Sequence, residues 1–449
     1  MALPNIKTFP QGGLHPPDHK LTADKPIQDL PLPDQVCVHL GQHIGKPAAA
    51  IVTAGDKVKA GQLIAKPDGF ISAAVHAPVS GRIEKFIEAA DQTGYKKPAV
   101  VIKRDGDEWE EGIDRRPDLM SDIKFDSASI VQKIADAGII GMGGAGFPSH
   151  VKLRPPEGKK IEYLLINGVE CEPFLTSDHR LMLEKSRELV TGIRILLKAL
   201  HIHQAIVGIE ANKTDAIERL RQHTVTDHDI EIIGLKVWYP QGGERQLIKA
   251  LTNREVPPPP KGLPHDVGCA VFNVASTVAV YEAVQKNKPL FERIVTVSGY
   301  GLATPGNFRV RIGTSVAQLI EAAGGLPGTA GKILSGGPMM GKALPQTDIP
   351  ITKTMGGIVI FPAAQACRQP SLECIRCAKC VSVCPLGLEP YLLMRLSEKG
   401  LWERAQAERM LSCCECGCCQ YVCPSNRPLL DYIRHGKAVL TKMLRSQKS

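Results

Sequence analysis

The cysteines carry the most specific chemical pattern in the sequence. Ten of the fourteen lie from Cys374 to Cys423, and eight of these ten form two copies of C-x2-C-x2-C-x3-C-P. Three cysteines on one tight loop can bind three irons of one cubane, and the fourth, followed by proline, reaches the other cluster. The spacing therefore predicts two [4Fe–4S] clusters. Cluster 1 would be bound by Cys374, Cys377, Cys380 and Cys423, and cluster 2 by Cys413, Cys416, Cys419 and Cys384.

Two alternatives bear on this ligand set. Zinc also takes four thiolates, but zinc sites seldom use the x2-x2-x3-Pro spacing twice. Cys414 and Cys418 also lie in the second loop, and the x2-x2-x3 register decides against them. The remaining cysteines have no spacing partner and are interpreted as small buried residues or spectators; they are Cys37, Cys171, Cys269 and Cys367.

A glycine-rich run at Gly141–Pro148, followed by Lys152, is the second candidate site. Glycines let backbone N–H groups approach an anion or a flat ring, and a lysine supplies a charge for phosphate. The run fits G-x-G-x-x-G, yet no strand clearly precedes it, so it is not the dinucleotide fingerprint. Alone it is weak evidence.

The glycine-rich run becomes specific when it is considered together with three further stretches of the sequence. Four stretches resemble the NADH-oxidising flavoprotein subunit of respiratory complex I: GMGGAGFPSHVK, the segment Asn167–Pro173, Gly243-Glu244 and Asn273-Val. The resemblance implies FMN binding by Gly141, Gly143, Lys152, Asn167, Glu170, Gly243, Glu244 and Asn273. It implies NADH contacts by Gly144, Gly146, Phe147, which would stack on a ring, and Glu172, at the nicotinamide side. Val169, Arg245 and Phe272 depart from the family pattern.

Pro-rich connectors and Gly turns divide the chain before this α/β part. Residues 1–34 are predicted to be an extended arm, because His15-Pro16-Pro17 and Leu30–Pro33 cannot continue a helix or a central strand. Residues 35–105 alternate short β-type runs with turns and resemble the lipoyl/biotinyl barrel-sandwich hybrid. The hairpin tip, Pro67–Ile71, lacks the lysine that is modified in that family, so a structural or docking barrel is expected.

Three further units complete a multidomain α/β fold class. Residues 125–288 alternate helix and strand periods, with one long helix predicted at Leu181–Leu200, and form the FMN/NADH-type α/β domain. Residues 289–345 resemble the soluble-ligand-binding β-grasp (SLBB) domain. Residues 365–435 form an α-helical, bacterial-ferredoxin-like 2[4Fe–4S] domain, and residues 436–449 a tail.

Composition excludes several classes of protein. The 449 residues carry 55 Lys+Arg and 46 Asp+Glu, a net charge of +9, with 22% charged and 43% hydrophobic residues. This is a globular chain of about three domains at roughly 150 residues each. No Lys/Arg block indicates a nucleic-acid binder, and no segment predicts an export signal or a membrane span. The thiols are expected in a reducing compartment.

The order of arm, barrel, flavin domain, β-grasp and double-cluster module resembles the RnfC/RsxC family, the peripheral subunit of the ion-translocating ferredoxin:NAD oxidoreductase Rnf. The resemblance implies an NADH-dependent oxidoreductase and translocase subunit that exchanges hydride between NAD(H) and FMN and passes single electrons through two [4Fe–4S] clusters. It implies ferredoxin and subunits A, B, D, E and G as partners, at the cytoplasmic face of the bacterial inner membrane.

Two other functions remain in view: a non-catalytic iron–sulfur relay or scaffold protein, and the diaphorase subunit of a soluble hydrogenase-type complex. The glycine run beside Lys152, Glu170 and Glu172 favours catalysis over a relay. No motif predicts acid–base or nucleophilic catalysis. His76, His150 and His265 are interpreted as ordinary surface or loop histidines.

Overall fold

The computed structural model describes residues 6–258 and 262–446. The first five residues of the predicted arm, part of the proline run at 257–260 and the last three residues of the tail lie outside this part. Among the described residues, no helix has both the length and the apolar composition needed to cross a bilayer.

The arm and the barrel contain the first eight strands. They are β1 (Ile27–Asp29), β2 (Gln35–His39), β3 (Ala49–Ala50), β4 (Lys57–Val58), β5 (Leu63–Lys66), β6 (Val75–His76), β7 (Gly81–Ala90) and β8 (Lys96–Arg104). The predicted barrel is confirmed as two small sheets, ordered β2-β8-β7-β4 and β3-β5-β6, which enclose a core of Val36, Ile64, Ile83 and Ile102.

The α/β domain is built on four strands and seven helices. They are α1 (Ser127–Asp136), α2 (Ser149–Lys152), β9 (Tyr163–Gly168), α3 (Ser177–Glu184), α4 (Ser186–Leu200), β10 (Ala205–Glu210), α5 (Thr214–His223), β11 (Ile230–Leu235), α6 (Glu244–Thr252), β12 (Cys269–Asn273) and α7 (Val274–Lys286). The long helix predicted at Leu181–Leu200 is two helices that meet at Lys185.

All four strands of this domain are parallel, in the order β11-β10-β9-β12. The chain continues from β9 to β10 and then to β11 on one side of β9, whereas β12 pairs with β9 on the other side. Ligands of open parallel sheets bind at the carboxyl ends of the strands where the order reverses. The gap between the carboxyl ends of β9 and β12 is therefore the place to look for a site.

The β-grasp unit contains β13 (Glu292–Gly299), β14 (Gly306–Arg311), α8 (Val316–Ala322), β15 (Ala330–Ser335), β16 (Lys342–Ala343) and β17 (Gly357–Pro362). Its sheet has the order β1-β14-β13-β17-β15-β16. Thus β17, beyond the predicted boundary at residue 345, is a central strand, and β1 of the predicted arm forms an edge. Local sequence periodicity does not report such distant parallel pairing.

The C-terminal module contains α9 (Ala363–Ala366), α10 (Lys379–Ser382), α11 (Pro390–Glu398), α12 (Trp402–Ala407), α13 (Cys418–Tyr421) and α14 (Leu429–Ser446). The internal repeat extends to the backbone. Arg376 and Ala378 in the first cysteine loop have positive φ angles of 55° and 58°, and Glu415 and Gly417 occupy the same places in the second, at 58° and 80°. Both loops therefore curl in the same way.

Candidate functional site

The glycine-rich loop lies on the amino-terminal end of α7. The N–H of Gly141 donates to the carbonyl of Phe147 (2.8 Å), which closes the loop, and the N–H of Met142 donates to the Ser276 hydroxyl (2.8 Å). A Cβ on Gly143 would lie 2.6 Å from the Asn273 side-chain nitrogen, whereas a Cβ on Gly144 would meet no atom within 4 Å. One face of the loop is thus closed by Asn273, and the face at Gly144 is open.

Two asparagines end the neighbouring strands β9 and β12 and lie opposite each other in register, Asn167 beside Asn273. The Asn167 side-chain nitrogen donates to the carbonyl of Gly242 (2.8 Å), which draws the segment before α6 to the sheet edge. Asn273 caps α7, because its side-chain oxygen accepts the N–H of Ala275 (2.9 Å). The amino-terminal ends of α6 and α7 therefore meet at the reversal of strand order, where helix dipoles favour an anion.

Lys152 lies at the same edge. Its ammonium donates to the carbonyl of Val271 (2.9 Å) and lies 5.6 Å from the centre of the Phe272 ring. Burial lowers the pKa of Lys152, and the charge of Glu244 opposes that shift. The predicted FMN residues Lys152 and Glu244 are therefore near neighbours, and Phe272, a departure from the family pattern, lies beneath the lysine.

The carboxylate of Glu170 is engaged in the fold. It accepts the N–H groups of Asp178 (2.8 Å) and His179 (3.0 Å) at the start of α3. Asp178 in turn accepts the side-chain N–H of Asn273 (2.6 Å). Burial and then the Glu170 charge raise the pKa of Asp178 to about 7. In this structure Glu170 shapes the site from behind, through Asp178 and Asn273.

Glu172, predicted at the nicotinamide side, is turned towards another domain. Its carboxylate accepts the N–H groups of Met339 (3.1 Å) and Met340 (2.8 Å) and contacts the Tyr239 hydroxyl (3.4 Å). Burial raises the pKa of Glu172 to about 7. Tyr239 also donates to the carbonyl of Cys416 (2.8 Å). Glu172 and Tyr239 thus join the α/β domain to the second cysteine loop.

The barrel forms part of the wall behind the glycine loop. A Cβ on Gly146, whose φ is +74°, would lie 2.9 Å from Thr354 and 3.4 Å from the carbonyl of Gln42. The N–H of Ile44 donates to the carbonyl of Gly146 (3.2 Å). Phe147, predicted to stack on a ring, is half-buried. The open side of the loop is thus confined to residues 143–145.

These residues fit a flavin mononucleotide. A flat ring needs a cradle that no side chain fills, and the exposed backbone at Gly143 and Gly144 provides one. A phosphate needs free N–H groups or a cation: the start of α6 has no side-chain cap, and Lys152 supplies a cation, whereas Asn273 caps the start of α7. The structure brings Gly141, Gly143, Lys152, Asn167, Gly243, Glu244 and Asn273 to one sheet edge.

The four cysteines predicted for cluster 2 line one cavity. Cys384, Cys413, Cys416 and Cys419 surround it together with leucines, and Cys414 and Cys418 also border it. Burial, then the neighbouring Cys414 thiol, raises the pKa of Cys413 to about 12, and Cys384 acts in the same direction. Apolar surroundings favour neutral thiols, so cationic irons are the partners that would make four thiolates stable there. The donor set fits an iron–sulfur cluster.

The cysteines predicted for cluster 1 are less buried than those predicted for cluster 2. Cys374 and Cys377 are exposed, and Cys380 and Cys423 are half-buried. Cys380 and Cys423 pack into one apolar cluster, and burial and then the charges of Cys423 and Cys374 raise the pKa of Cys380. The fourth cysteine of each run therefore lies near the other run, as the spacing predicts.

Two histidines predicted at the surface or in loops are buried instead. His76 is 7% exposed and His150 is 9% exposed, and each has an Nδ1 without a hydrogen-bond partner among the described residues. His76 lies near Lys353, whose ammonium donates to the carbonyls of Ala74 and Gly138 (2.8 Å each). The barrel packs here against the α/β domain, and this contact has no local sequence signal.

Sequence reasoning missed three residues at the site. Asp178 is an acidic residue in the first turn of α3, shortly after the segment Asn167–Pro173, and Tyr239 begins the sequence YPQGGERQ that contains Gly243-Glu244, so a local signal existed for both. Lys20 had no such signal. Its ammonium donates to the carbonyls of Glu170, Glu172 and Leu175 (2.8, 2.8 and 2.7 Å) and ties the arm to the loop that carries both glutamates.

The fold and these sites define a class: an α/β domain of the flavin-binding type, joined to a barrel, a β-grasp unit and a double cysteine loop. Sequence profiles agree. Residues 7–107 match the RnfC barrel sandwich hybrid domain, residues 134–282 the Nuo51 FMN-binding domain and residues 294–343 the SLBB domain.

Similar proteins of known function identify the family. The chain is 44% identical to the C component of the proton-translocating ferredoxin:NAD(+) oxidoreductase complex of Clostridium ljungdahlii, covering 96% of this chain and 94% of that protein. It is 38% identical to the same component of the Na(+)-translocating complex of Acetobacterium woodii (96% and 97%). It is 40% identical to that of the ion-translocating oxidoreductase complex of Rhodobacter capsulatus (98% and 86%). The chain belongs to this family, RnfC.

Solved structures agree on the fold. The crystal structure of an NAD+-reducing [NiFe]-hydrogenase in the H2-reduced state matches with a TM-score of 0.50 and 22% identity, over 72% of this chain and 63% of that chain. The crystal structure of the same kind of hydrogenase in the air-oxidized state matches with a TM-score of 0.50 and 19% identity. At this identity the likeness concerns the fold alone.

Proposed function

We propose that this protein is the NADH- and FMN-binding iron–sulfur subunit of an ion-translocating ferredoxin:NAD oxidoreductase complex. Family membership supports the reaction class. The observation that carries the site is the meeting of the glycine loop, Asn167, Asn273 and Lys152 at the strand-order reversal, joined by Tyr239 to a cysteine-lined cavity. This arrangement supports a flavin cradle that lies next to an electron acceptor.

In this proposal, the FMN residues are Gly141, Gly143, Lys152, Asn167, Glu170, Gly243, Glu244 and Asn273. Bound FMN would accept a hydride and release single electrons, a conversion that iron–sulfur clusters cannot make. The residues of the protein would serve to position the cofactor. Lys152 and the uncapped start of α6 would orient the phosphate, the glycine backbone would admit the ring, and Glu170 would hold the cradle through Asp178 and Asn273.

NADH would approach over Gly144, where the loop is open, with Gly146 and Phe147 beside it. Glu172 would contribute to the NADH site from its position at the junction with the β-grasp unit. Its two backbone N–H partners fix the carboxylate at that junction, so it is a rigid wall and not a mobile ligand.

The cluster ligands divide into an inner and an outer set. Cys384, Cys413, Cys416 and Cys419 would bind cluster 2, which adjoins the α/β domain through Tyr239. Cys374, Cys377, Cys380 and Cys423 would bind cluster 1, two of whose ligands are exposed. Electrons would therefore pass between flavin and cluster 2, then cluster 1, and leave at the exposed Cys374 loop.

Partners follow from the family. The names of the relatives place them in complexes of several different chains. We propose that this chain meets ferredoxin and subunits A, B, D, E and G at the cytoplasmic face of the inner membrane, with contact to the membrane through those subunits.

An anaerobic NADH titration of the reconstituted protein tests the proposal, with flavin bleaching and cluster absorbance followed in one cuvette. Bleaching of a stoichiometric flavin followed by cluster reduction is expected. Intact clusters that do not respond to NADH in a flavin-loaded protein would overturn the catalytic function and leave an iron–sulfur relay.

A further inference from the structure

The amino-terminal arm runs between the α/β domain and the cysteine module. Lys7 bridges to Leu235 at the end of β11, and Leu14 bridges to Tyr239. Between them, Gln11–Leu14 crosses to the other side: the N–H of Gly13 donates to the carbonyl of Val383 (2.9 Å). This short segment, the arm crossing, therefore contacts both domains at once.

On one side the arm crossing supports Cys384. Gly12 has a φ of +66°, and a Cβ there would lie 2.6 Å from the carbonyl carbon and oxygen of Cys384 and 2.8 Å from the nitrogen of Pro385. These are backbone atoms that cannot rotate away. A glycine is needed at residue 12 both for its backbone angle and for this close approach.

On the other side the arm crossing supports Cys416. The N–H groups of Leu14 and Tyr239 each donate to the other's carbonyl, at 2.9 and 2.7 Å. The Tyr239 hydroxyl then donates to the carbonyl of Cys416 (2.8 Å). The indole N–H of Trp238 donates to the carbonyl of Gly12 (2.9 Å), so the neighbouring residue of the same segment is held as well.

The cysteine module also contacts the β-grasp unit. A Cβ on Gly417 would lie 2.7 Å from the carbonyl of Met339, and Arg434 donates to the carbonyl of Met340 (3.0 Å). They hold the second cysteine loop but do not touch Cys384. The arm crossing is the contact that ties Cys384 and Cys416 to the same sheet edge.

We propose that Gln11–Leu14 and Tyr239 are positioning residues for electron transfer between the flavin site and cluster 2. The inference rests on the proposed function, because it takes Cys384 and Cys416 as cluster ligands. By fixing both ligand-bearing loops to the segment that follows β11, the arm crossing sets the separation and orientation of the two redox sites. Small misplacements of reacting groups carry large rate costs.

The test compares two glycines with positive φ in the full-length reconstituted protein. Gly12→Ala strains the backbone and presses on Cys384. Gly112→Ala, at φ +89° with no atom within 4 Å of the added Cβ, introduces the backbone strain alone. Tyr239→Phe removes the hydroxyl bond to Cys416 and the longer contact to Glu172 (3.4 Å), leaves the backbone pairing with Leu14 in place, and serves as the second variant if Gly12→Ala yields no folded protein.

Iron and flavin contents are measured first, followed by rapid mixing with NADH. Flavin bleaching in Gly12→Ala should stay within about twofold of the parent rate, while cluster reduction should slow by about tenfold or more. Gly112→Ala should match the parent in both phases. Cluster reduction at the parent rate in both Gly12→Ala and Tyr239→Phe would overturn the inference.

Electron paramagnetic resonance of dithionite-reduced protein separates this inference from the proposed function, because it needs no NADH activity. A change confined to one of the two cluster signals in Gly12→Ala, absent in Gly112→Ala, would support the arm crossing even if NADH bleached no flavin. Two signals identical to those of the parent would count against it. Loss of NADH bleaching in the parent itself would overturn only the proposed function.

Discussion

Two adjacent glycines should respond in opposite ways to alanine. At Gly143 an added Cβ would lie 2.6, 2.8 and 3.0 Å from Nδ2, Cγ and Cβ of Asn273. That side chain cannot swing aside freely, because it caps α7 and donates to Asp178. At Gly144 the Cβ meets open space.

The cost of Gly143→Ala follows from the contacts that Asn273 would lose. The α7 cap is worth about 1 kcal/mol, and the buried bond to the Asp178 carboxyl about 1.5–3 kcal/mol. We expect a loss of about 2–4 kcal/mol in the free energy of unfolding of the α/β domain, together with loss of flavin on gel filtration. Gly144→Ala should keep stability and flavin and raise the KM for NADH, because the methyl group would stand on the open face.

Urea unfolding, flavin content and NADH kinetics on the two variants provide the assay. A double-variant cycle sharpens it: Gly143→Ala should add little to Asn273→Ala, since both act through the same side chain. Equal flavin content and equal unfolding midpoints in Gly143→Ala and the parent would refute the reasoning. So would additive losses in the double variant.

Three further outcomes are expected. Cys374→Ser should remove the outer cluster signal from electron paramagnetic resonance while NADH still bleaches flavin; two surviving signals would contradict the ligand set. Lys152→Ala should weaken FMN retention, checked by flavin content after gel filtration, and unchanged content would tell against its phosphate role. Burial, and then the charge of Lys353, lower the pKa of His76 to about 3. An unfolded chain, with a pKa near 6.5, therefore binds the extra proton first, and the His76 contribution to stability falls as the pH drops below about 6.5, by about 2 kcal/mol at pH 5. The raised pKa values of Glu172 and Asp178 act in the opposite direction but are common to the parent and to His76→Gln. Urea unfolding at pH 7 and pH 5 should therefore show that the change in stability of the parent is less favourable than that of His76→Gln by about 2 kcal/mol.

Much of the site could be predicted because its signals are local. The x2-x2-x3-Pro spacing fixes which thiols can share a cubane, whatever the rest of the chain does. The repeat carries over to the backbone angles of Arg376, Ala378, Glu415 and Gly417. The barrel, the parallel sheet and the β-grasp unit are each indicated by the hydrophobic period and the turns between their elements.

The residues that connect the domains could not be predicted. Lys20 binds three carbonyls from a loop 150 to 155 positions away, and Tyr239 reaches Cys416 across 177 positions. His76 is buried because another domain packs over it. Glu172 is held at the β-grasp unit because Met339 and Met340 offer backbone N–H groups to its carboxylate.

The sequence alone determined the family and predicted the domain order, the cysteine sets and the glycine loop, since each depends on residue types at short, fixed spacings. The tertiary structure decided which side chains are free to meet a ligand and which are engaged by the fold. It also decided that the arm joins the flavin domain to the first cysteine run at Cys384, while Tyr239 reaches the second cysteine loop. Contacts of this kind arise only when distant segments pack together. The residues around a side chain in the sequence do not indicate which distant backbone carbonyl or buried cavity it will meet.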